Sequence, residues 1–312
     1  MAIRFTFRQL EYFVAVAKSG SIALASERVN VSSPSISTSI AQLETALGIK
    51  LFIRKHAHGL TLTSGGRRFL AEAGNVLNGA QGLTNLASDI SQSVSGPLNI
   101  GCLSTLAPIV LPALRRHFES RYPDVRVRQL TGDQGAMLQA ISNAQIEICL
   151  TYDLGITGNV HFETLVELPP YVMLAASHPL AGQANITPEE LANQPMVLLD
   201  LPISNDYFLS VFANTGLKPK IAERINDLAL VRSMVANGFG YSLANIRSTT
   251  EFSPDGKPLK FIPLAGGLRP INLGLITGKQ LRKPLILKAF EELCRDTIEA
   301  GGVPGLASAL PA

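Results

Sequence analysis

Phe69, Ala73, Val76, Ala80, Leu83, Ala87 and Ile90 follow one another at steps of 4, 3, 4, 3, 4 and 3. No proline interrupts the chain between Thr63 and Ser95, and Thr63 or Ser64 can cap the start. This is a heptad seam about three heptads long, on a single helix with little of its own chain to pack against. Pairing with a second copy is the solution the pattern favours, which makes 64–94 a dimerisation helix and the chain a homo-oligomer. The three alanines of the seam permit close approach and give modest burial per layer.

The residues before the seam carry most of the positive charge. Residues 1–68 hold nine basic side chains against three acidic ones, a net of +6, whereas the whole chain is only +3. A basic head on a slightly acidic body implies that the head meets a polyanion. Leu10, Phe13, Val14 and Ala17 recur at helical spacing, and Gly20 ends that helix. Ser21 opens a short second helix with Ile22, Ala25 and Val29 inside. Pro34 suits the first turn of a third, in which Ile36, Ile40, Leu43 and Leu47 form one stripe before Gly48. Two short extended runs follow, Leu51–Arg54 and Leu60–Thr63. Helix, helix, turn, helix and hairpin in about 60 residues is the layout of a winged helix-turn-helix.

Ser95-Gly96-Pro97 breaks the long helix, and strands then alternate with helices. The fold class expected for this region is α/β with mostly parallel sheets. Its length favours two lobes, lobe 1 from about 95–168 and 270–300, lobe 2 from about 169–269. Winged head 1–63, linker helix 64–94, two-lobed body 95–300 and a flexible Gly/Ala/Pro-rich tail 301–312 complete the division.

Other classes are disfavoured. The chain has 312 residues, 46% of them hydrophobic, without the roughly 18–20 uninterrupted apolar residues of a membrane helix. Arg4 and Arg8 near the N-terminus precede no signal-peptide apolar run, so a cytoplasmic protein without a membrane partner is expected. Cys102, Cys149 and Cys294 include no CxxC pair. G-x-S-x-G, H-E-x-x-H, P-loop and G-x-G-x-x-G motifs are absent, and the five histidines offer only a weak His56/His58 pair. No catalysis, metal or cofactor is expected.

Phe7-Arg8-Gln9-Leu10, Ser32-Ser33-Pro34-Ser35-Ile36-Ser37, Gln42-Leu43-Glu44 and Leu47-Gly48-Ile49-Lys50-Leu51-Phe52 resemble the N-terminal signature of LysR-type transcriptional regulators. Arg54, Leu62-Thr63 and Gly66 extend the likeness through wing and linker. Leu111-Pro112, Phe118–Pro123 and Val235–Gly240 resemble the family's effector domain. The resemblance spans residues 5–298. It implies a winged head on double-stranded operator DNA, a periplasmic-binding-protein-like body that binds a small-molecule effector, and a dimer of dimers. RNA polymerase is a further implied partner. Sites near the regulator's own or a divergent promoter, with either sign of regulation, are implied too. Two positions depart from the family pattern: Ser33 stands where Gln is common, and Thr38 where Arg is frequent, so bidentate base reading is less available.

The DNA-binding candidates are Ser33, Pro34, Ser35, Ser37, Thr38, Ser39 and Gln42 on the third helix, with Arg54 and Lys55 on the wing for phosphates or the minor groove. Effector candidates follow the rule that ligands lie beyond the C-terminal ends of strands. Ser104 and Thr105, at a helix start suited to a carboxylate, come first. The resemblance adds Thr131, Gly132, Thr151, Tyr152, Pro202 and Ser204. Hydroxyls and few cations in these loops suit a small monocarboxylate or a phenolic compound. The alternative is a redox-responsive regulator that uses Cys102 in place of a ligand.

Overall fold

The computed structural model describes residues 4–55, 59–90, 92–158, 160–247, 250–266, 269–278 and 283–301. The side chains of residues 54, 55, 59, 84, 85 and 87–89 lie outside that description, as do His56, His58 and tail residues 302–312. The chain divides near residue 91 into two compact units.

In the head, α1 (Phe7–Ser19), α2 (Ile22–Val29) and α3 (Ser33–Leu47) precede a two-stranded wing, β1 (Phe52–Lys55) and β2 (Gly59–Leu62). A capping box starts α1: the Thr6 hydroxyl accepts from the Gln9 amide at 3.2 Å, and Gln9 Oε1 accepts from the Thr6 amide at 2.9 Å. Gly20 closes α1 at φ 66°, a left-handed conformation that glycine takes without strain. Leu10, Phe13, Ile36 and Leu43 are fully buried, and the Phe13 ring meets those of Phe52 and Phe69 at 5.4 and 5.3 Å. The wing strands pair antiparallel with Phe52 opposite Leu62. α4 (Ser64–Ile90) leaves the wing so closely that a Cβ on Gly66 would sit 2.2 Å from the Leu51 carbonyl oxygen. Only glycine fits there.

The body opens with β3 (Gly96–Leu103), α5 (Ala107–Arg121), β4 (Val125–Gly132), α6 (Gln134–Ser142), β5 (Ile148–Tyr152) and β6 (Val160–Leu168). The chain then builds a second lobe. Its elements are β7 (Tyr171–Ala175), α7 (Pro188–Leu191), β8 (Pro195–Leu199), α8 (Ser204–Ala213), β9 (Lys220–Ile225), α9 (Leu228–Ala236), β10 (Ser242–Ala244) and β11 (Leu259–Pro263). It returns through β12 (Ile271–Gly278) and α10 (Leu285–Glu299). Lobe 1 is one five-stranded sheet in the order β4-β3-β5-β12-β6. Lobe 2 has the antiparallel order β10-β7-β11 and the parallel pair β8-β9, joined by a bridge between Met196 and Tyr241.

The sheets are mixed, which corrects the expectation of mostly parallel pairing. β3 pairs parallel with β4 and β5, but β12 runs antiparallel to both β5 and β6. The chain leaves lobe 1 at Leu168 and re-enters at Ile271, and these two residues face each other in the ladder. An exit strand and an entry strand that use the same end of a sheet must be antiparallel. In lobe 1 Phe118 on α5 and Phe290 on α10 are fully buried and meet edge to face, centroids 5.1 Å apart.

Candidate functional sites: a reading helix and an inter-lobe cleft

Helix α3 turns Ile36, Ile40 and Leu43 inward, which fixes what it offers outward. Pro34, Ser35, Thr38 and Gln42 are exposed; Ser33, Ser37 and Ser39 are half-buried. Ser32 caps the helix, and its hydroxyl lies 2.8 Å from that of Ser35, so Ser35 is partly engaged already. Gln42 Oε1 accepts from Gln9 Nε2 at 3.3 Å, which leaves the Gln42 amide hydrogens to face a partner. Gln9 was not among the sequence candidates, although Thr6-Phe7-Arg8-Gln9 carries the capping-box signal that places it.

The wing is held from beneath by Glu44, 9% exposed. Its Oε1 accepts from the backbone amides of Leu51 and Phe52 at 2.8 and 3.3 Å, and its Oε2 pairs with Lys50 Nζ at 2.7 Å. Burial raises the carboxyl, but Lys50 and the two amides outweigh it and hold the group below its ordinary value. Arg54 and Lys55 lie on β1 opposite Leu60 and Gly59, with side chains outside the described residues.

The heptad seam divides along α4. Phe69 and Ala73 pack into the head's own core, with Leu70 and Leu77 beside them. Further along, Val76 is 44%, Leu83 70% and Ile90 76% exposed; Ala80 is half-buried, and the Ala87 side chain lies outside the described residues. The exposed apolar surface is therefore the distal half of the seam.

In the body a cleft runs between the lobes. An inner cavity of about 60 Å³ is walled by Met173, Leu199, Phe208, Leu243 and Phe261, with Thr105, Tyr152, Ser204, Arg232 and Asn245 as its polar members. A groove of about 560 Å³ shares Thr105 and Arg232 with it and adds Ser104 and Asp227. Of the sequence candidates, Ser104, Thr105, Tyr152 and Ser204 line this cleft. Thr131, Gly132, Thr151 and Pro202 do not line it. The Thr151 hydroxyl is buried and donates to Gln134 Oε1 at 2.6 Å, and Gln134 Nε2 in turn ties down the Tyr152 and Leu154 carbonyls. The Gly132 carbonyl accepts from the Ser104 amide at 2.8 Å. The Gly132 carbonyl thus braces the loop that carries Ser104, while Thr151 and Gln134 brace the segment that follows β5. Arg232 and Asn245 escaped sequence reading because they sit within a helix and at the end of a strand, away from the loops after β3, β4 and β5.

The three cysteines are buried. Burial pushes the Cys102 thiol up to about 12 and raises Cys149 and Cys294 as well, so the thiolate that oxidation chemistry needs is scarce at neutral pH. Iodoacetamide at pH 8 is expected to leave all three unmodified in the folded protein and to label all three in urea. Rapid labelling of folded Cys102 would restore the redox alternative. Among the described residues no helix is long and apolar enough to cross a membrane.

Comparison with known proteins decides the family. Residues 7–67 match the bacterial regulatory helix-turn-helix protein model of the lysR family, and residues 91–299 match the LysR substrate binding domain. The chain is a LysR-type transcriptional regulator. It is 26% identical to the transcriptional activator protein LysR of Escherichia coli over 312 residues, covering 98% of this chain and 96% of that protein. The crystal structure of HinK, a LysR family transcriptional regulator from Pseudomonas aeruginosa, shares 33% identity at a TM-score of 0.64, covering 94% of this chain and 98% of that one. Full-length CbnR crystallised with its target DNA shares the fold at 22% identity and a TM-score of 0.66, covering 94% of this chain and all of that one. In this LysR-type regulator the winged head is the DNA-binding unit and the two-lobed body the effector-binding domain.

Proposed function

We propose that this regulator senses a small organic acid or aromatic compound in the inter-lobe cleft and transmits its binding to paired heads on an operator. The observation that carries this reading is the cleft itself: an apolar cavity with a few convergent polar groups, set beside the helix start at Thr105. A ligand bound between the lobes favours one arrangement of them, and an oligomer joined through α4 converts that preference into a different spacing of heads. Pairing with two-fold symmetry favours a partly palindromic site, and a dimer of dimers in the cytoplasm, able to contact RNA polymerase, fits the family.

On the DNA, Pro34, Ser35, Thr38 and Gln42 meet base edges while Arg54 and Lys55 neutralise phosphates. Phosphate contacts add affinity for every sequence, and each one lost flattens the salt dependence by about 0.9 in log–log slope. Arg54→Ala with Lys55→Ala is therefore expected to weaken binding to all duplexes and to flatten the slope by about 2. Thr38→Ala is expected to change the preference among duplexes more than the mean affinity. Fluorescence anisotropy across a salt series, on duplexes selected from a random pool, reads both. The opposite pattern would reverse the assignment of helix and wing. A thermal-shift screen against small organic acids and aromatics tests the cleft, because a ligand of the folded state raises its melting temperature. Stabilisation is expected to vanish in Ser104→Ala; stabilisation indifferent to that change would place the ligand elsewhere.

A further inference from the structure

The start of α8 carries a strained residue. Ile203, its N-cap, stands at φ 70° and ψ −45°. Among the described non-glycine residues at positive φ, it is the one with a β-branched side chain. A branched side chain is crowded against the backbone there, so the conformation persists only where packing enforces it. The enforcing contacts come from the other lobe. A Cβ on Gly155, in the loop after β5, would lie 3.2 and 3.3 Å from Ile203 Cγ2 and Cδ1, and a Cβ on Gly135, in α6, would lie 4.0 Å from Cδ1. Ile203 of lobe 2 is thus a knob seated against two glycines of lobe 1. Gln134 stiffens that seat, because its Nε2 donates to the Tyr152 and Leu154 carbonyls at 2.9 and 2.7 Å.

Four residues on, Tyr207 makes a second grip. Its ring packs against the cores of both lobes. Its hydroxyl donates to the Arg269 carbonyl at 2.8 Å, on the segment that re-enters lobe 1, and accepts from Asn245 Nδ2 at 3.3 Å. Arg269 in turn pairs with Asp153, two residues before Gly155, and Asp153 Oδ1 accepts from the Asn272 amide at 3.1 Å. The neighbouring face of α8 has another role, since Ser204 and Phe208 line the inner cavity. Side chains four apart share a helix face, so residues 203 and 207 hold lobe 1 while 204 and 208 wall the cavity.

We propose that the turn at Ile203 is a strained latch between the lobes. Seated on Gly135 and Gly155, it fixes the lobe arrangement of this structure; unseated, Ile203 relaxes to negative φ and the start of α8 lets go of lobe 1. The strain is released in one step, which favours two discrete arrangements over a gradual slide. Ser204 and Phe208 ride on the same turns as Ile203 and Tyr207, so whatever displaces the cavity wall displaces the latch. The latch itself is defined without a ligand; it rests on the effector reading above only in that an occupant of the cavity is what moves it.

The test is hydrogen exchange on the full chain without ligand, read at the Asn205 amide, which closes the turn by donating to the Leu201 carbonyl at 3.0 Å. Ile203→Ala keeps a side chain at positive φ but loses the knob, and exchange at Asn205 is expected to rise roughly ten- to a hundredfold. Ile203→Gly loses the knob too but adopts the same φ freely, and is expected to keep the wild-type rate. Gly135→Leu, a change confined to lobe 1, fills the seat and is expected to raise exchange at Asn205 as Ile203→Ala does. Adding Ile203→Gly to it is expected to restore protection, a coupling across the lobes that mere loosening of either one does not produce. The Val197 amide, bonded to the Tyr241 carbonyl at 2.7 Å elsewhere in lobe 2, is expected to exchange as in the wild type throughout. On duplexes selected from a random pool, the preferred separation of half-sites is expected to change in Gly135→Leu and to return in the double variant. Equal rates in Ile203→Ala and Ile203→Gly, unchanged Asn205 exchange in Gly135→Leu, an equal rise at Val197, or an unaltered half-site separation overturns the latch. If Gly135→Leu fails to fold, the two Ile203 variants decide alone. Ser104-dependent stabilisation by a screened compound, alongside any of those results, leaves the effector reading standing while this inference falls.

Discussion

Glutamate at both Leu83 and Ile90 is expected to convert the regulator to monomers and to weaken operator binding by about 10²- to 10⁴-fold. These side chains are 70% and 76% exposed on α4, one heptad apart on the same seam. Four glutamates brought together across a two-fold axis would replace apolar burial by like-charge repulsion. A monomer loses the second head, and with it the high effective concentration that a tethered neighbour supplies. Phe69 and Ala73 belong to the head's own core, so the winged fold is expected to survive the change. Light scattering after gel filtration reports the mass, and anisotropy on a selected duplex reports the affinity. An unchanged mass would place the subunit interface elsewhere.

Glu44→Ala is expected to destabilise the head by roughly 2–3 kcal/mol, because it strands the amides of Leu51 and Phe52. The ion pair with Lys50 adds little of this, since Lys50 is 77% exposed. The carboxyl is held below its ordinary value in the fold, so its contribution is complete above the unfolded value near pH 4.3. It is lost as the pH falls through the folded value. Glu44→Gln keeps one acceptor and is expected to remove this part of the acid sensitivity. Hydrogen exchange at the Leu51 and Phe52 amides measures the effect locally. Unchanged protection in Glu44→Ala would mean that the wing is anchored by its apolar residues alone. The wing carries Arg54 and Lys55, so a loosened wing is also expected to lower affinity for DNA.

The helical head was legible because its periodicities are local. Ile36, Ile40 and Leu43 are buried where their spacing puts them, and Gly20 and Gly48 end their helices at positive φ. Strands β6, β9 and β11 were not anticipated. β6 and β9 are edge strands in which charged and exposed residues interrupt the half-buried ones, so no long apolar run announces them. Their pairing comes from β12 and β8, partners far away in sequence. The polarity of β12 was hidden for the same reason.

The cleft was legible in part. Ser104 and Thr105 follow from the general position of loops after parallel strands, whereas Thr151 has the right residue type in the right place and yet bonds inward to Gln134. Which of two neighbouring hydroxyls faces a cavity depends on contacts across the lobe.

What the chain determines by itself is therefore its punctuation and its stripes: three head helices, a long amphipathic linker helix, a basic head on an acidic body and an α/β alternation. These depend on residues a few positions apart, where backbone geometry sets who is neighbour to whom. Only the tertiary structure decided that the proximal seam serves the head, that β12 returns antiparallel, and that Arg232 and Asn245 line one cavity. Those outcomes rest on side chains 13 to more than 100 residues apart, and a linear pattern carries no information about which of them close packing brings together.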